Sequence, residues 1–155
     1  MKILLTGSNG QVGYEIVNQN KKFGFELTAF SHKSLDISDY VILEKTIIET
    51  KPDLVINAAA YTSVDKAETE KELTFLVNKK GSFNLAKACS KIKIPIFHIS
   101  TDYVFDGSLD RPYSETDIVS PNCVYGKSKE AGEREIRKNI KNHIILRTSW
   151  VFGKK

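Results

Sequence analysis

Five short apolar runs punctuate the chain at Lys2–Thr6, Glu26–Phe30, Leu54–Asn57, Ile94–Ser100 and His143–Arg147, with helical patterns between them. The first and third are continuous rather than alternating. A strand with one solvated face alternates apolar and polar side chains, while a strand covered on both faces of a parallel sheet does not. Parallel neighbours are joined by crossovers long enough to hold a helix, and such crossovers are right-handed. The pattern predicts an α/β fold, a doubly wound parallel sheet with helices on both faces. A chain of 155 residues is long enough for one domain with a sizeable core and short for two.

The first run stops at Gly7-Ser8-Asn9-Gly10-Gln11-Val12-Gly13, after which Val12, Ile16 and Val17 recur at helical spacing. A helix N-terminus presents unpaired backbone N–H groups, which suit a phosphate. In this reading Gly7 permits the tight turn, Gly10 lets the backbone approach a pyrophosphate, and Gly13 lets helix and strand pack closely. The spacing is G-x-x-G-x-x-G rather than the commoner G-x-G-x-x-G, and a plain glycine-containing turn is the other reading. Its place after an N-terminal strand favours a Rossmann-like dinucleotide site. At the end of the second run, where an acid would accept hydrogen bonds from the adenosine ribose, stand Ser31-His32-Lys33. They favour NADPH, or tolerance of NADH as well, unless they form only a polar surface turn.

Ser38 is a candidate N-cap for a helix to about Thr50 with Val41, Ile42, Leu43, Ile47 and Ile48 inward. Tyr61 to Lys71 reads as turn plus short helix. Glu72 to about Ile92 reads as one amphipathic helix with Leu73, Leu76, Val77, Leu85, Ala86 and Cys89 inward. Gly81 in its middle costs about 1 kcal/mol relative to Ala and signals close packing against the sheet. Asn78, if buried, needs backbone or water partners. Ala58, Ala59 and Ala60 follow the third run, where small side chains let a ligand lie against the backbone or simply pack tightly. Val104 to Asn122 is irregular, which points to a functional loop such as a lid. Helix resumes from Tyr125 to about Asn139.

Hydrophobic residues at 41% and charged residues at 27% are ordinary globular usage and argue against disorder. No apolar stretch approaches the roughly 18 to 20 residues of a membrane span. The N-terminus lacks a basic region followed by an apolar core and cleavage site, so a cytoplasmic protein is expected. Cys89 and Cys123 have no metal-ligand spacing and read as free thiols. The net charge of +4 comes from 23 Lys and Arg against 19 Asp and Glu, interspersed apart from pairs such as Lys21-Lys22, Lys79-Lys80 and Lys154-Lys155. Nucleic acid would require a clustered basic stripe, and a mild positive bias suits anionic small molecules such as nucleotides.

Tyr125 and Lys129 are four apart, so their side chains share one helix face. Reducing a ketone requires an acid to protonate the developing alkoxide as hydride arrives. A phenol can be that acid when a neighbouring ammonium stabilises the phenolate left behind. Thr101 lies just past the fourth strand at the same sheet edge as the glycine loop, and its hydroxyl could orient a substrate carbonyl or only cap a turn. Asp102 reads equally as an acceptor for a sugar hydroxyl or a turn residue. His32, His98 and His143 are scattered and read as structural or surface, with no metal site.

The residues at this point resemble a known family. Thr6-Gly7-x-x-Gly10-Gln11-Val12-Gly13, Leu35-Asp36-Ile37, Asn57-Ala58-Ala59-Ala60-Tyr61-Thr62 and Val64-Asp65-Lys66-Ala67-Glu68 are similar to segments of the extended short-chain dehydrogenases/reductases. So are Tyr125-Gly126-Lys127-Ser128-Lys129 and Arg147-Thr148-Ser149-Trp150-Val151-Phe152-Gly153, while Ser100-Thr101-Asp102-Tyr103-Val104-Phe105-Asp106-Gly107 resembles more specifically, within them, the dTDP-4-dehydrorhamnose reductases. The resemblance implies a catalytic triad of Thr101, Tyr125 and Lys129. It implies Gly10, Gln11 and Val12 along the pyrophosphate, Asp36 and Ile37 at the adenine, and Ala58 to Ala60 along the cofactor. Asp102 and Trp150 would lie near the substrate, although Trp150 by itself reads as a core or interface aromatic. The implied reaction is hydride transfer from NADPH or NADH to the 4-keto carbon of dTDP-4-dehydro-L-rhamnose, without membrane or nucleic acid as partner.

The family continues past Lys155 into a smaller C-terminal part with most nucleotide-sugar contacts and, in some members, a homodimer interface bridged by Mg2+. The chain stops before it, and is then a fragment or a product that binds cofactor without turnover. Two other functions fit parts of the pattern. A nucleotide-sugar epimerase or dehydratase would tend to show Ser-Ser at the fourth strand end and an acid after the second, and neither is present. A non-catalytic NADP-binding regulatory subunit would not need the Tyr125 and Lys129 pair.

Overall fold

The computed structural model describes residues 1–153. Strands β1 (Lys2–Thr6), β2 (Glu26–Phe30), β3 (Leu54–Asn57), β4 (Ile96–Thr101) and β5 (His143–Thr148) form one parallel sheet in the order β2-β1-β3-β4-β5. The helices are α1 (Gln11–Phe23), α2 (Tyr40–Thr50), α3 (Val64–Ala67), α4 (Lys71–Phe75), α5 (Ser82–Lys91) and α6 (Val124–Asn139). The chain moves one way from β1 to β2 and the other way for every later strand. Right-handed crossovers then put α1 on one face and α2, α5 and α6 on the other, where α2 packs on α5 and α5 on α6. The direction reverses between β1 and β3, and ligands of open α/β sheets bind at the C-terminal strand ends beside such a reversal.

Burial follows position in the sheet. Ile3 to Thr6 of the inner strand β1 are all buried, as an unbroken apolar run requires, while Ile144 and Leu146 on the edge strand β5 are exposed. The main core joins Leu4, Val55 and Ile96 from the sheet to Leu43 and Ile47 of α2, Leu85 and Cys89 of α5, and Ile136 of α6. Cys89 and Cys123 are free; Cys89 is buried, which pushes its thiol up to about 12. Among the described residues no helix is long and apolar enough to cross a membrane. Lys154-Lys155 lies outside those residues.

Several local expectations are corrected. The N-cap of α2 is Asp39, not Ser38: its carboxylate accepts from the N–H groups of Val41 at 3.0 Å and Ile42 at 3.1 Å. Of the five residues expected inward, Leu43 and Ile47 are buried, while Val41, Ile42 and Ile48 are exposed, because residues four apart share the one stripe that meets the core. Removing the cap with Asp39→Ala is expected to cost about 1 kcal/mol, seen as a lower urea midpoint at an unchanged m-value. The fourth strand begins at Ile96 rather than Ile94, leaving Pro95 outside it with its carbonyl accepting from Val55 N at 3.1 Å.

The expected single helix from Glu72 to Ile92 is interrupted. A π-helical turn, Leu76–Gly81, separates α4 from α5. Its wider winding shifts the inward face, so Leu73 and Leu76 are exposed while Asn78 is buried. Gly81 does mark close packing, but against a side chain rather than the sheet: a Cβ there would stand 2.5 Å from Ile37 Cδ1.

Candidate active site

The site is built from the C-terminal ends of β1, β3, β4 and β5. After Thr6 the chain turns at Gly7 with φ of 76°, a conformation most side chains avoid. A Cβ on Gly7 would meet Ala59 N at 2.5 Å, and one on Gly13 would meet Gly7 O at 2.2 Å. Both glycines therefore let backbone approach backbone. Gly10 caps α1 without a side-chain hydrogen bond, leaving the first-turn N–H groups without an intrahelical partner.

Gly10, Gln11 and Val12 line a cavity of about 330 Å³ with Ala58, Ala60, Thr101, Asp102, Tyr125, Lys129 and Trp150. A second cavity of about 340 Å³ runs past Gly7, Ala59, His32 and Ile37 to Leu73 and Val77. The two share Gly10, Ala58 and Ala60, so together they form one groove along the sheet edge. Two site candidates stand outside it. Gly13 is packed under the glycine turn, and Asp36 braces its own loop by accepting from Ser38 N and Oγ, each at 2.8 Å. No residue from 106 to 122 lines either cavity, so the irregular segment is not a lid over the groove in this structure.

Thr101 ends β4. Its Oγ1 accepts from Tyr103 N at 3.2 Å and donates to Asp102 Oδ1 at 3.1 Å, so it caps a short 3-10 turn and also faces the groove. Tyr125 packs edge-on against Tyr103 with ring centroids 5.6 Å apart. Burial pushes the Tyr125 phenol above its ordinary 10; the Thr101 hydroxyl pulls it down, and Asp102, Cys123 and Tyr103 push it further up. The phenol is thus protonated at neutral pH. Lys129 is buried and its Nζ donates to Ile99 O at 2.7 Å. Burial lowers its ammonium to about 8, against the opposing charge of Glu133. Trp150 is 92% exposed on the rim, so it is neither core nor buried interface within this chain.

Beneath the groove lie further buried polar residues, some of which sequence reasoning missed. Asn57 Oδ1 accepts from Thr6 Oγ1 at 2.8 Å and Ala59 N at 3.1 Å, and its amide donates to His98 Nδ1 at 2.9 Å. That accepted bond puts the His98 proton on Nε2, and burial holds the ring neutral, well below the ordinary 6.5. His98 is structural, as its scattered position suggested. Asn78 does have backbone partners, Tyr61 N at 2.8 Å and Tyr61 O at 3.0 Å, and also meets Ser128 Oγ at 2.9 Å. Glu133 was overlooked although it repeats the spacing from Tyr125 to Lys129, and Arg147 although a cation in an apolar run calls for a partner. The two are paired, Arg147 Nη2 lying 2.8 Å from Glu133 Oε2.

Known proteins resemble this chain in sequence and fold. The spore coat polysaccharide biosynthesis protein SpsK of Bacillus subtilis is 42% identical over 152 residues, 98% of this chain and 54% of that protein. The dTDP-4-dehydrorhamnose reductase of Aggregatibacter actinomycetemcomitans is 45% identical over 153 residues, 98% of this chain and 52% of that protein. The crystal structure of dTDP-4-dehydrorhamnose reductase from Bacillus anthracis in complex with NADP matches with a TM-score of 0.96 at 36% identity, over 100% of this chain and 56% of that one. The chain spans about half the length of the curated relatives it matches. The family model described as RmlD substrate binding domain matches residues 1–155, and with that match along its whole length the chain belongs to the RmlD substrate binding domain family.

Proposed function

We propose that the chain is the cofactor-binding and catalytic part, residues 1–155, of a cytoplasmic reductase that converts dTDP-4-dehydro-L-rhamnose to dTDP-L-rhamnose with NADPH, and with NADH less well. The observation that carries this reading is the meeting of Thr101, Tyr125 and Lys129 with the N-terminus of α1 in one cavity. The groove suits a dinucleotide. The glycine turn and a helix N-terminus with no side-chain cap at Gly10, Gln11 and Val12 fit a pyrophosphate, and Ile37, Leu73, Val77 and Ala59 offer an apolar slot for an adenine. His32 lines that slot where an acid would repel a 2′-phosphate. The remaining nucleotide-sugar contacts, and any Mg2+-bridged homodimer, fall to the further length that the relatives have.

When bound, the nicotinamide cofactor supplies a hydride to the substrate carbon. Tyr125, held as a neutral phenol by burial, donates its proton to the developing alkoxide. The Thr101 hydroxyl, which donates to Asp102 in the structure, turns to the carbonyl oxygen and orients it. Lys129, one turn along the same helix face, stabilises the phenolate that remains. Trp150 and Asp102 border the substrate end of the cavity.

The test is cofactor oxidation by the full-length protein with the 4-keto sugar, using NADPH and NADH in parallel. Keto-sugar-dependent turnover with the higher kcat/KM for NADPH is expected. Tight NADPH binding without turnover would favour the regulatory-subunit reading instead, and a clear preference for NADH would overturn the reading of Ser31-His32-Lys33.

A further inference from the structure

One helical turn beyond Lys129 lies a carboxylate with no exposed surface. Glu133 is reached by donors from three elements: Ser100 Oγ of β4 at 2.6 Å, Arg147 of β5 with Nε at 3.0 Å and Nη2 at 2.8 Å, and Arg137 of α6 with Nη2 at 2.8 Å. A lone carboxylate in such a place would take up a proton. Here burial pushes that way, but the hydrogen bonds of Arg147, Ser100 and Arg137 and the Arg147 charge outweigh it and hold Glu133 below its ordinary value.

One of these donors, Ser100, also lines the site cavity. Ser100 precedes Thr101, and its carbonyl accepts from Thr148 Oγ1 at 3.0 Å, which pins the end of β5 to the end of β4. Around Lys129 stand Tyr125 and Glu133 on its own helix and His98 on β4, with Asp102 across the cavity, and Arg147 of β5 reaches the cluster through Glu133. His98 is neutral and Tyr125 is protonated, while Arg147 and Arg137 are both engaged with Glu133 itself. The charge of Glu133 is the one that acts directly to favour the Lys129 ammonium.

We propose that Glu133 is a positioning residue of the reductase site, locking together the strand ends that carry Thr101 and Trp150 and placing a negative charge one helical turn from buried Lys129. The inference takes its meaning from the proposed reductase, but its test does not need turnover. The Lys129 Cε resonance of 13C-lysine-labelled full-length protein is followed against pH by NMR, without substrate. The wild-type midpoint is expected at about 8. In Glu133→Gln it falls by about one pH unit or more, as loss of a nearby opposite charge requires. Arg137→Gln alters a half-exposed side chain and takes away a cation paired with Glu133, leaving more of the Glu133 charge to act on Lys129, so the midpoint rises; this variant decides the question if Glu133→Gln does not fold. Ser100→Ala removes a hydrogen bond but no charge, and is expected to lower the melting temperature with the midpoint unmoved. An unchanged midpoint in the charge variants would overturn the proposal and leave Glu133 a structural pin. Absence of keto-sugar turnover in the wild type would overturn the reductase reading alone.

Discussion

Tyr125→Phe is expected to lower kcat for keto-sugar reduction by about 10²- to 10⁴-fold, the usual contribution of a positioned general acid. NADPH binding should be nearly unchanged, because the substitution removes one oxygen from a ring already packed against Tyr103. Steady-state kinetics paired with a fluorescence titration of NADPH separate the two effects. Wild-type turnover in the variant would remove Tyr125 as the acid. The wild-type pH profile adds a second check. Burial lowers Lys129 from its ordinary 10.5 to about 8, so its ammonium is present below that pH and is lost as pH rises through it. An activity that needs the ammonium therefore declines on the alkaline side of about 8. The same shift acts oppositely on stability. Between about 8 and 10 the unfolded chain binds more protons at this lysine than the folded one does, so its contribution to stability rises with pH. Activity falling while the urea midpoint holds or rises across that window is the signature to look for.

How much of this was legible beforehand depended on whether a feature is local. The sheet was readable because inner strands are covered on both faces and must be largely apolar, and β1 meets that condition from Ile3 to Leu5. The glycine turn was readable because a tight approach of helix to strand excludes every side chain, and the contacts at Gly7 and Gly13 are backbone to backbone. That Tyr125 and Lys129 share one helix face follows from helical spacing. What was missed is set by packing between distant segments. The π-helical turn leaves no composition signal, yet it turns Asn78 inward and Leu73 toward the groove. Asp39 and Ser38 are both good capping residues, and only the path of the chain decides between them. Glu133, Ser100 and Arg147 lie on three different elements, so no single stretch of sequence shows that they meet.

Gly13→Ala carries the second large expected effect, a loss of about 2 to 3 kcal/mol of stability. The sign is not obvious from the residue type, since Ala favours helix over Gly by up to about 1 kcal/mol. Contact geometry decides it. The added methyl would lie 2.2 Å from Gly7 O and 2.8 Å from both Gly7 C and Ser8 Cα. All three are backbone atoms, so no side chain can swing aside and α1 must lift from the turn. The melting temperature should fall by roughly 5 to 10 °C. The lift would also move the first-turn N–H groups of α1 away from the groove, weakening NADPH binding about tenfold for each 1.4 kcal/mol lost there. Gly24→Ala is the matching control: Gly24 also has a positive φ, 68°, but nothing lies within 4 Å of its added methyl. That variant should cost about 1 kcal/mol through backbone strain alone and leave NADPH affinity unchanged. Equal behaviour of the two variants would mean that backbone conformation, rather than the seating of α1 on the glycine turn, sets the geometry of the cofactor groove.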